Sequence, residues 1–372
     1  MIKTIAVSGI NLHEGGPLRI YYQFCDEIME KRIYEQYHFI LFVHRKSLFE
    51  KYGSFFEIIE LPDSRSSWLK RMNYEYRYFL NYSRTRDIEL WISLHDMTPK
   101  VDVRHQITYF HNPTFSHKAD YSDFKYDKKV FLFSLFYKYL YKLNVHANDY
   151  VIVQQDWISR EISQMVGVNE ESIVVMPAGR KAVKHEICDI RKDIPYMFFF
   201  PSVSRHFKNF EVICDATRIL NSRGYSDRFQ IVLTIDGTED RYSKEIVNNN
   251  SDLQNISFTG YLSMDEVSRY YQKAECLIFP SKMETWGLPI SEAKEYGLPL
   301  LVADLPYAHE TVGNYGKVCF FHENDPTELA DKMLDAILGK NVFCAAEYVN
   351  TSRNIVHSWE EMIKFVLKRE EK

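Results

Sequence analysis

The sequence lacks paired cysteines. Its six cysteines are scattered over 372 residues, none of them forms a C-x-x-C motif, and several lie in apolar runs. A disulfide framework is therefore not indicated, and we expect reduced, mostly buried thiols of a cytosolic protein. The six are Cys25, Cys188, Cys214, Cys276, Cys319 and Cys344.

Long apolar runs are also missing. The longest, VFLFSLFY at residues 130–137, is far too short to span a bilayer. The first ten residues, MIKTIAVSGI, begin directly with a strand pattern and show no charged segment followed by an apolar core, so no signal peptide is predicted. We therefore expect a cytoplasmic protein.

Positive charge is not in excess. The chain has 46 Lys and Arg against 51 Asp and Glu, which gives a net charge of −5. A general nucleic-acid-binding protein would carry a basic excess, so nucleic acid is not expected as a partner.

The chain contains two successive runs in which predicted apolar strands alternate with amphipathic helices. The first run ends near residue 179, and the second begins at YMFFFPS, residues 196–202, after a charged stretch without a clear period at 180–195. Continuous apolar strands between helices predict two α/β domains with doubly wound, Rossmann-like parallel sheets, at 1–182 and 183–355. In such folds ligands bind at the carboxyl ends of strands, here in a cleft where the two domains face each other.

The stretch FPSKMETWGLPISEAKEYG, residues 279–297, places two carboxylates around the start of a predicted helix at 289–296. Glu284 follows a strand, Glu292 lies in the first turn of the helix, and the amides between them are unpaired donors of a helix N-terminus. Carboxylates and amides together suit the hydroxyls of a sugar, although acids that merely complement the helix dipole are the alternative explanation. The amides belong to Thr285, Trp286, Gly287 and Leu288.

Residues 280–304, PSKMETWGLPISEAKEYGLPLLVAD, resemble the E-x7-E signature of retaining GT-B glycosyltransferases of family 4. The resemblance is strong between about 196 and 330, whereas the first half of the chain matches by layout only. It implies an N-terminal acceptor-binding domain, a C-terminal domain that binds the nucleotide-sugar donor, and a terminal helix at about 356–372 that completes the first domain. It further implies an enzyme of bacterial O-antigen, capsule or exopolysaccharide biosynthesis.

Three other segments agree with this resemblance. SVSRHFKNFEVICDA is similar to the family's R-x-x-K-N element, which implies that Arg205 and Lys208 bind the donor diphosphate, as two cations beside a helix N-terminus can. EGGPLR is similar to the Gly-Gly loop, which implies that Gly15 and Gly16 approach the phosphates. His111, in the predicted strand QITYFHNP, matches a histidine near the donor sugar or the reaction centre, although a lone histidine at a strand end is more often structural.

The implied reaction moves a hexose-type sugar from a UDP- or GDP-sugar to an acceptor hydroxyl, with retention at the anomeric carbon. Glu292 would bind the ribose hydroxyls, Glu284 and the amides of 285–288 the donor sugar, and Tyr261 the nucleobase. No D-x-D motif lies at a suitable strand end, so neither a metal nor another cofactor is expected. No carboxylate can be named as a covalent nucleophile, and the leaving phosphate would serve as base.

Residues 117–144 mix lysines with a dense series of aromatic residues. They form either a core-packed amphipathic helix or a patch that contacts anionic lipid at the cytoplasmic face of the inner membrane. In the second case the acceptor would be a polyprenyl-diphosphate-linked glycan rather than a free glycan.

Two other functions stay open: a sugar-nucleotide epimerase of the same architecture, and a non-catalytic protein that binds nucleotide sugars or glycans.

Overall fold

The computed structural model describes residues 2–115, 117, 121–178 and 195–368. The described residues form two compact units. The first comprises 2–115, 134–178 and 351–368, and the second comprises 117, 121–133 and 195–350. Residues 121–133 thus pack with the second unit although they lie within the range predicted for the first domain. The predicted boundary between residues 182 and 183 lies outside the described residues.

Thirteen strands are present in this part of the chain, and all of them pair in parallel. They are β1 (Lys3–Gly9), β2 (Tyr37–Val43), β3 (Glu57–Glu60), β4 (Ile88–Ser93), β5 (His105–Tyr109), β6 (Tyr150–Val153), β7 (Ile173–Val175), β8 (Tyr196–Phe200), β9 (Phe229–Leu233), β10 (Ile256–Phe258), β11 (Cys276–Phe279), β12 (Leu300–Ala303) and β13 (Val318–Phe321). The first unit has a seven-stranded sheet in the order β3-β2-β1-β4-β5-β6-β7, and the second a six-stranded sheet in the order β10-β9-β8-β11-β12-β13.

Helices make most of the connections between strands, as is usual for parallel pairing. They are α1 (Gly15–Glu30), α2 (Trp68–Asn73), α3 (Phe79–Arg84), α4 (Tyr121–Tyr126), α5 (Lys128–Lys142), α6 (Asp156–Val166), α7 (Phe210–Ser222), α8 (Arg241–Asn249), α9 (Met264–Lys273), α10 (Leu288–Glu295), α11 (Pro306–Val312), α12 (Pro326–Ile337) and α13 (Trp359–Leu367). No helix among the described residues is both long and apolar enough to cross a bilayer. The predicted fold class, two Rossmann-like α/β domains with parallel sheets, is confirmed.

The central strands are buried because they are continuous apolar runs; all four residues of β11, CLIF, are buried, for example. The last helix, α13, packs on the first unit, where the Trp359 ring meets the edge of Phe24 with 5.2 Å between centroids. Glu27 of α1 accepts the amides of Trp359 at 3.0 Å and Glu360 at 3.1 Å, which satisfies two donors at the start of α13.

Cysteine burial follows the prediction in part. Cys25, Cys214 and Cys276 are buried free thiols, Cys319 is half-buried and Cys344 is exposed. Cys188 lies outside the described residues.

The order of the strands indicates where each sheet would bind a ligand. In the first sheet the strand order reverses between β1 and β4, and in the second between β8 and β11. Ligands of doubly wound sheets bind outside the carboxyl ends of the strands at such a reversal. The loops that follow these four strands are therefore the places to look for a functional site.

Candidate functional site

In the second unit, the loops after β8 and β11 meet at the point where the strand order reverses. The two strands are neighbours, with Cys276 opposite Phe198. The loop after β8 contains a 3-10 turn, His206–Lys208, and the Phe207 carbonyl of that turn accepts the Lys282 amide of the other loop at 2.8 Å. Sequence elements more than seventy positions apart are thereby held side by side.

These loops bring Lys208 and Glu284 together as an ion pair. Only 13% of the lysine side chain and 15% of the glutamate side chain are exposed. The Lys208 ammonium also lies 5.7 Å from the ring centroid of Phe207 and 5.9 Å from that of Phe279. A cation so enclosed interacts more strongly with a neighbouring anion than a cation in open water does.

Arg205 begins the same turn but faces solvent. Its side chain is 53% exposed, and Nη1 lies 3.5 Å from Asp127 Oδ2. An exposed pair at this distance contributes little stability, so the guanidinium can exchange the carboxylate for another anion at small cost.

Asn209 fixes the geometry after the turn. Its φ is +62°, a left-handed conformation that asparagine adopts more readily than most residues, and it directly precedes α7. The side-chain amide donates to the Pro280 carbonyl at 3.2 Å and the Glu323 carbonyl at 2.7 Å. Asn209 was not predicted as a site residue, and its role is to lock the loop that carries Arg205 and Lys208.

Gly287 lets the loop after β11 enter α10. Its φ is +79°, and a Cβ at this position would lie 3.3 Å from both Phe279 Cε1 and Ile290 Cδ1, so a side chain would be strained and crowded. The Trp286 indole donates to Ser291 Oγ at 2.9 Å, which holds the loop against the helix. Among the described residues, the amides of 285–288 donate no hydrogen bond. They are unpaired donors at the start of α10, and their predicted contact with a donor sugar stays a prediction.

Glu292, the fifth residue of α10, is oriented by a tyrosine that the sequence gives no reason to single out. The Tyr271 hydroxyl donates to Glu292 Oε2 at 3.0 Å, and the Tyr296 ring stacks on Tyr271 at 5.2 Å. Burial, followed by the nearby Glu292 charge, raises the pKa of Tyr271 well above its usual value, so the hydroxyl remains a donor at any physiological pH. One carboxylate oxygen of Glu292 is thereby held in place.

Tyr261 stands apart from this group. It follows β10, its side chain is 88% exposed, and no hydrogen bond in the described part of the chain joins it to Lys208, Glu284 or Glu292. Its predicted contact with a nucleobase stays a prediction.

The first unit carries the remaining predicted residues. Gly15 has φ +64° and, with Gly16, begins α1, and no side chain caps this helix. A Cβ on Gly16 would meet no atom within 4 Å, so open space lies beside the first turn. An uncapped helix N-terminus with open space beside it is suited to an anion.

His111 was predicted to lie within a strand, but it lies two residues beyond the end of β5. Asp96, three residues beyond the neighbouring strand β4, accepts the His111 amide at 2.6 Å, the Asn112 amide at 3.1 Å and the Tyr141 hydroxyl at 3.1 Å. The imidazole Nε2 lies 3.6 Å from Asp96 Oδ2. Burial lowers the pKa of His111 despite this carboxylate, so the imidazole is uncharged at neutral pH.

Comparison with known proteins finds glycosyltransferases. A family model described as "Glycosyl transferases group 1" matches residues 181–351. The O-antigen chain mannosyltransferase RfbU of Salmonella typhimurium is 23% identical over 267 residues, which are 72% of this chain and 72% of RfbU. This sequence comparison spans most of both chains.

Solved structures share the fold at low sequence identity. The lipopolysaccharide outer core galactosyltransferase WaaB, in its apo form, aligns with a TM-score of 0.63 and 12% identity over 91% of this chain and 90% of WaaB. HepE of Anabaena in complex with UDP-glucose aligns with a TM-score of 0.60 and 14% identity over 90% and 89% of the two chains. The loops that pair Lys208 with Glu284 therefore lie in the stretch that resembles glycosyltransferases of group 1, in a chain whose two-sheet fold these solved structures share.

Proposed function

We propose that the protein is a retaining glycosyltransferase that moves a hexose-type sugar from a UDP- or GDP-sugar to a glycan of bacterial surface polysaccharide biosynthesis. The observation that carries this proposal is the enclosed pair of Lys208 and Glu284 beside the free amides of 285–288. Cation, carboxylate and amides are the partners that a diphosphate and sugar hydroxyls require, and they converge where α/β sheets bind ligands.

In the proposed reaction, the bond between the anomeric carbon and the diphosphate oxygen breaks while the acceptor oxygen adds to the same face. The acceptor proton passes to the leaving diphosphate. Arg205 and Lys208 stabilise the negative charge that develops on this group, and a well-placed cation of this kind contributes about 3 kcal/mol. Glu284 binds sugar hydroxyls, and His111, held neutral and oriented through Asp96, orients the sugar.

Glu292 is proposed to bind the ribose hydroxyls with the carboxylate that Tyr271 orients. We expect Glu292→Ala to weaken nucleotide affinity by about 10²-fold, because two charge-assisted hydrogen bonds are lost at roughly 1.5 kcal/mol each. Isothermal titration with the preferred nucleotide measures this. Glu295→Ala, which removes an acid from the same helix, should leave the affinity unchanged; equal losses in both variants would contradict the assignment.

The proposed acceptor follows from the relatives. RfbU is named as an O-antigen chain mannosyltransferase, and WaaB as a galactosyltransferase of the lipopolysaccharide outer core. We propose a glycan or polyprenyl-diphosphate-linked glycan of the same kind of pathway. Release of free nucleotide from UDP- and GDP-sugars, with and without a lipid extract that contains such acceptors, tests the proposal. Nucleotide release that depends on the acceptor is expected, whereas equal release without the acceptor would favour hydrolysis of the donor.

Helix α5 supports a peripheral contact with the cytoplasmic face of the inner membrane. One of its faces exposes four large apolar residues, and the helix carries four lysines and no acid. The exposed residues are Leu132, Leu135, Phe136 and Tyr139, with exposed fractions of 50, 41, 59 and 61%. The opposite face buries Tyr137 and Tyr141, so the helix is partly core and partly free surface. An apolar face among lysines is suited to anionic lipid.

We expect the double substitution of Leu132→Ser and Phe136→Ser to weaken binding to vesicles that contain anionic lipid by at least about 10-fold, since each side chain loses roughly 1.5 kcal/mol or more of transfer free energy. Co-sedimentation with vesicles measures this. Leu338→Ser, at an exposed leucine of the second unit, is the matched control. Binding that is absent in the wild type, or equal in both variants, would refute the membrane contact.

A further inference from the structure

A second cluster of polar side chains lies beside the R-x-x-K turn and is not used by the proposed reaction. It consists of His117, which precedes α4, Asp123 within α4, and His206, the residue that follows Arg205. All three belong to the second unit. We propose that this cluster binds a zinc ion.

The three side chains converge on one point. His117 Nε2 lies 2.9 Å and 2.8 Å from the two oxygens of Asp123, and His206 Nε2 lies 2.6 Å from Asp123 Oδ1. One ligand atom from each side chain lies within 4.8 Å of the other two. In a tetrahedral site with bonds near 2.0 Å, neighbouring ligand atoms are about 3.3 Å apart, so the contacts of Asp123 with the two imidazoles need to lengthen by only about 0.5 Å to admit the ion.

The ligand types select the metal. Two imidazole nitrogens and one carboxylate oxygen form a three-residue set of the kind that zinc accepts, with a fourth position for water or a further ligand. Magnesium and calcium prefer sites built from oxygen alone. The identity of the donors therefore points to zinc rather than to the ions that assist phosphate binding.

The three side chains of the cluster are largely buried, which distinguishes the cluster from a chance group of polar residues on the surface. The side chain of Asp123 is fully buried, and those of His206 and His117 are 6% and 16% exposed. Buried charges in proteins are paired or coordinate metals, so a buried carboxylate between two imidazoles is compatible with a metal ion. His117, as the most exposed member, lies where an ion could enter.

The surrounding contacts hold the ligands in place. The Tyr126 ring stacks on His206 with 6.3 Å between centroids. The Tyr126 hydroxyl and the Lys125 ammonium both contact Glu245 Oε2, at 2.7 Å and 2.6 Å, which ties α4 to α8. A ligand set supported in this way is pre-organised for binding.

The bound ion would have a structural role. His206 stands between Arg205 and Lys208 in the chain, so a bond from the metal to His206 fixes the turn that carries both cations. This consequence for donor binding rests on the proposed function, whereas the metal site itself does not.

The test uses the full chain without an affinity tag. Protein stripped with a chelator is dialysed against zinc, and bound zinc is measured by mass spectrometry of the metal, with thermal unfolding as a second readout. We expect about one zinc ion per chain and a melting temperature that rises with zinc concentration. Asp123→Asn should weaken zinc binding by at least ~100-fold, because it removes the charged ligand.

Asp304→Asn is the matched control, since Asp304 lies 2.6 Å from His309 in an exposed pair that has only two members. It should bind zinc as the wild type does. His117→Gln provides a second loss-of-ligand variant at a more exposed position, should Asp123→Asn fail to fold. A wild type without stoichiometric zinc, or His117→Gln that retains zinc as Asp304→Asn does, overturns the site in favour of a hydrogen-bonded cluster without metal. Zinc binding without any nucleotide binding would leave the site standing and count against the proposed function alone.

Discussion

Lys208→Ala is expected to lower kcat/KM for the sugar donor by about 10²- to 10³-fold. The lysine is the enclosed cation of the site, and the loss of one pre-organised group that stabilises developing charge has this magnitude. The substitution also leaves Glu284 unpaired where only 15% of its side chain is exposed, so repulsion between this carboxylate and the donor phosphates adds to the loss. Steady-state kinetics with the preferred donor measures the effect.

Lys282→Ala is the control for this prediction. Lys282 belongs to the loop after β11, its side chain is exposed, and its contact with the other loop is made by the backbone amide. Activity within about twofold of the wild type is expected, because the fold of the loop is retained. If Lys208→Ala behaved like Lys282→Ala, the ion pair with Glu284 would be structural and the proposed diphosphate site would be wrong.

Asp96→Ala is expected to destabilise the protein by about 3–5 kcal/mol. Asp96 is 3% exposed and accepts two backbone amides and a tyrosine hydroxyl, and each buried donor left without a partner costs roughly 1–3 kcal/mol. The same change frees His111 from its position, so kcat should fall even at temperatures where the variant is folded. Denaturant unfolding gives the stability and donor kinetics at low temperature gives kcat.

Asp102→Ala tests whether any acid of the first unit would behave in this way. Asp102 is 66% exposed at its side chain and lies 3.5 Å from Arg84, so its removal should change stability by no more than about 0.5 kcal/mol. A loss below about 1 kcal/mol for Asp96→Ala would show that other groups hold the loop of His111.

The parts of the fold that could be predicted from the sequence are those that depend on patterns of neighbouring residues. Apolar runs bounded by polar turns indicate the strands, and helical spacing indicates α1, α7 and α13. Helix α11 (Pro306–Val312) does not stand out in this way, since seven residues are too short for a clear helical period. The proximity of Lys208 to Glu284 was predictable only through the resemblance, because their sequence separation is large.

Partners that lie far apart in the sequence could not be predicted. Tyr271 orients Glu292, yet it is one aromatic residue among many on amphipathic helices. The contacts of Asp123 with His206 and of Asp127 with Arg205 join segments about eighty positions apart, and they follow from the packing of 121–133 with the second unit. No pattern within a single segment predicts these contacts, because they arise from tertiary packing.

The most direct test of the central claim is a thermal-shift titration of the full chain with UDP, GDP and their common sugars, repeated on Lys208→Ala and Glu292→Ala. A ligand that binds only the folded state stabilises it by about 2.7 kcal/mol at a hundredfold excess over Kd. The proposed site predicts a rise in Tm with one nucleotide class, reduced strongly in both variants. No rise with any nucleotide, or a rise that both variants retain in full, would contradict a nucleotide-sugar site between the loops after β8 and β11.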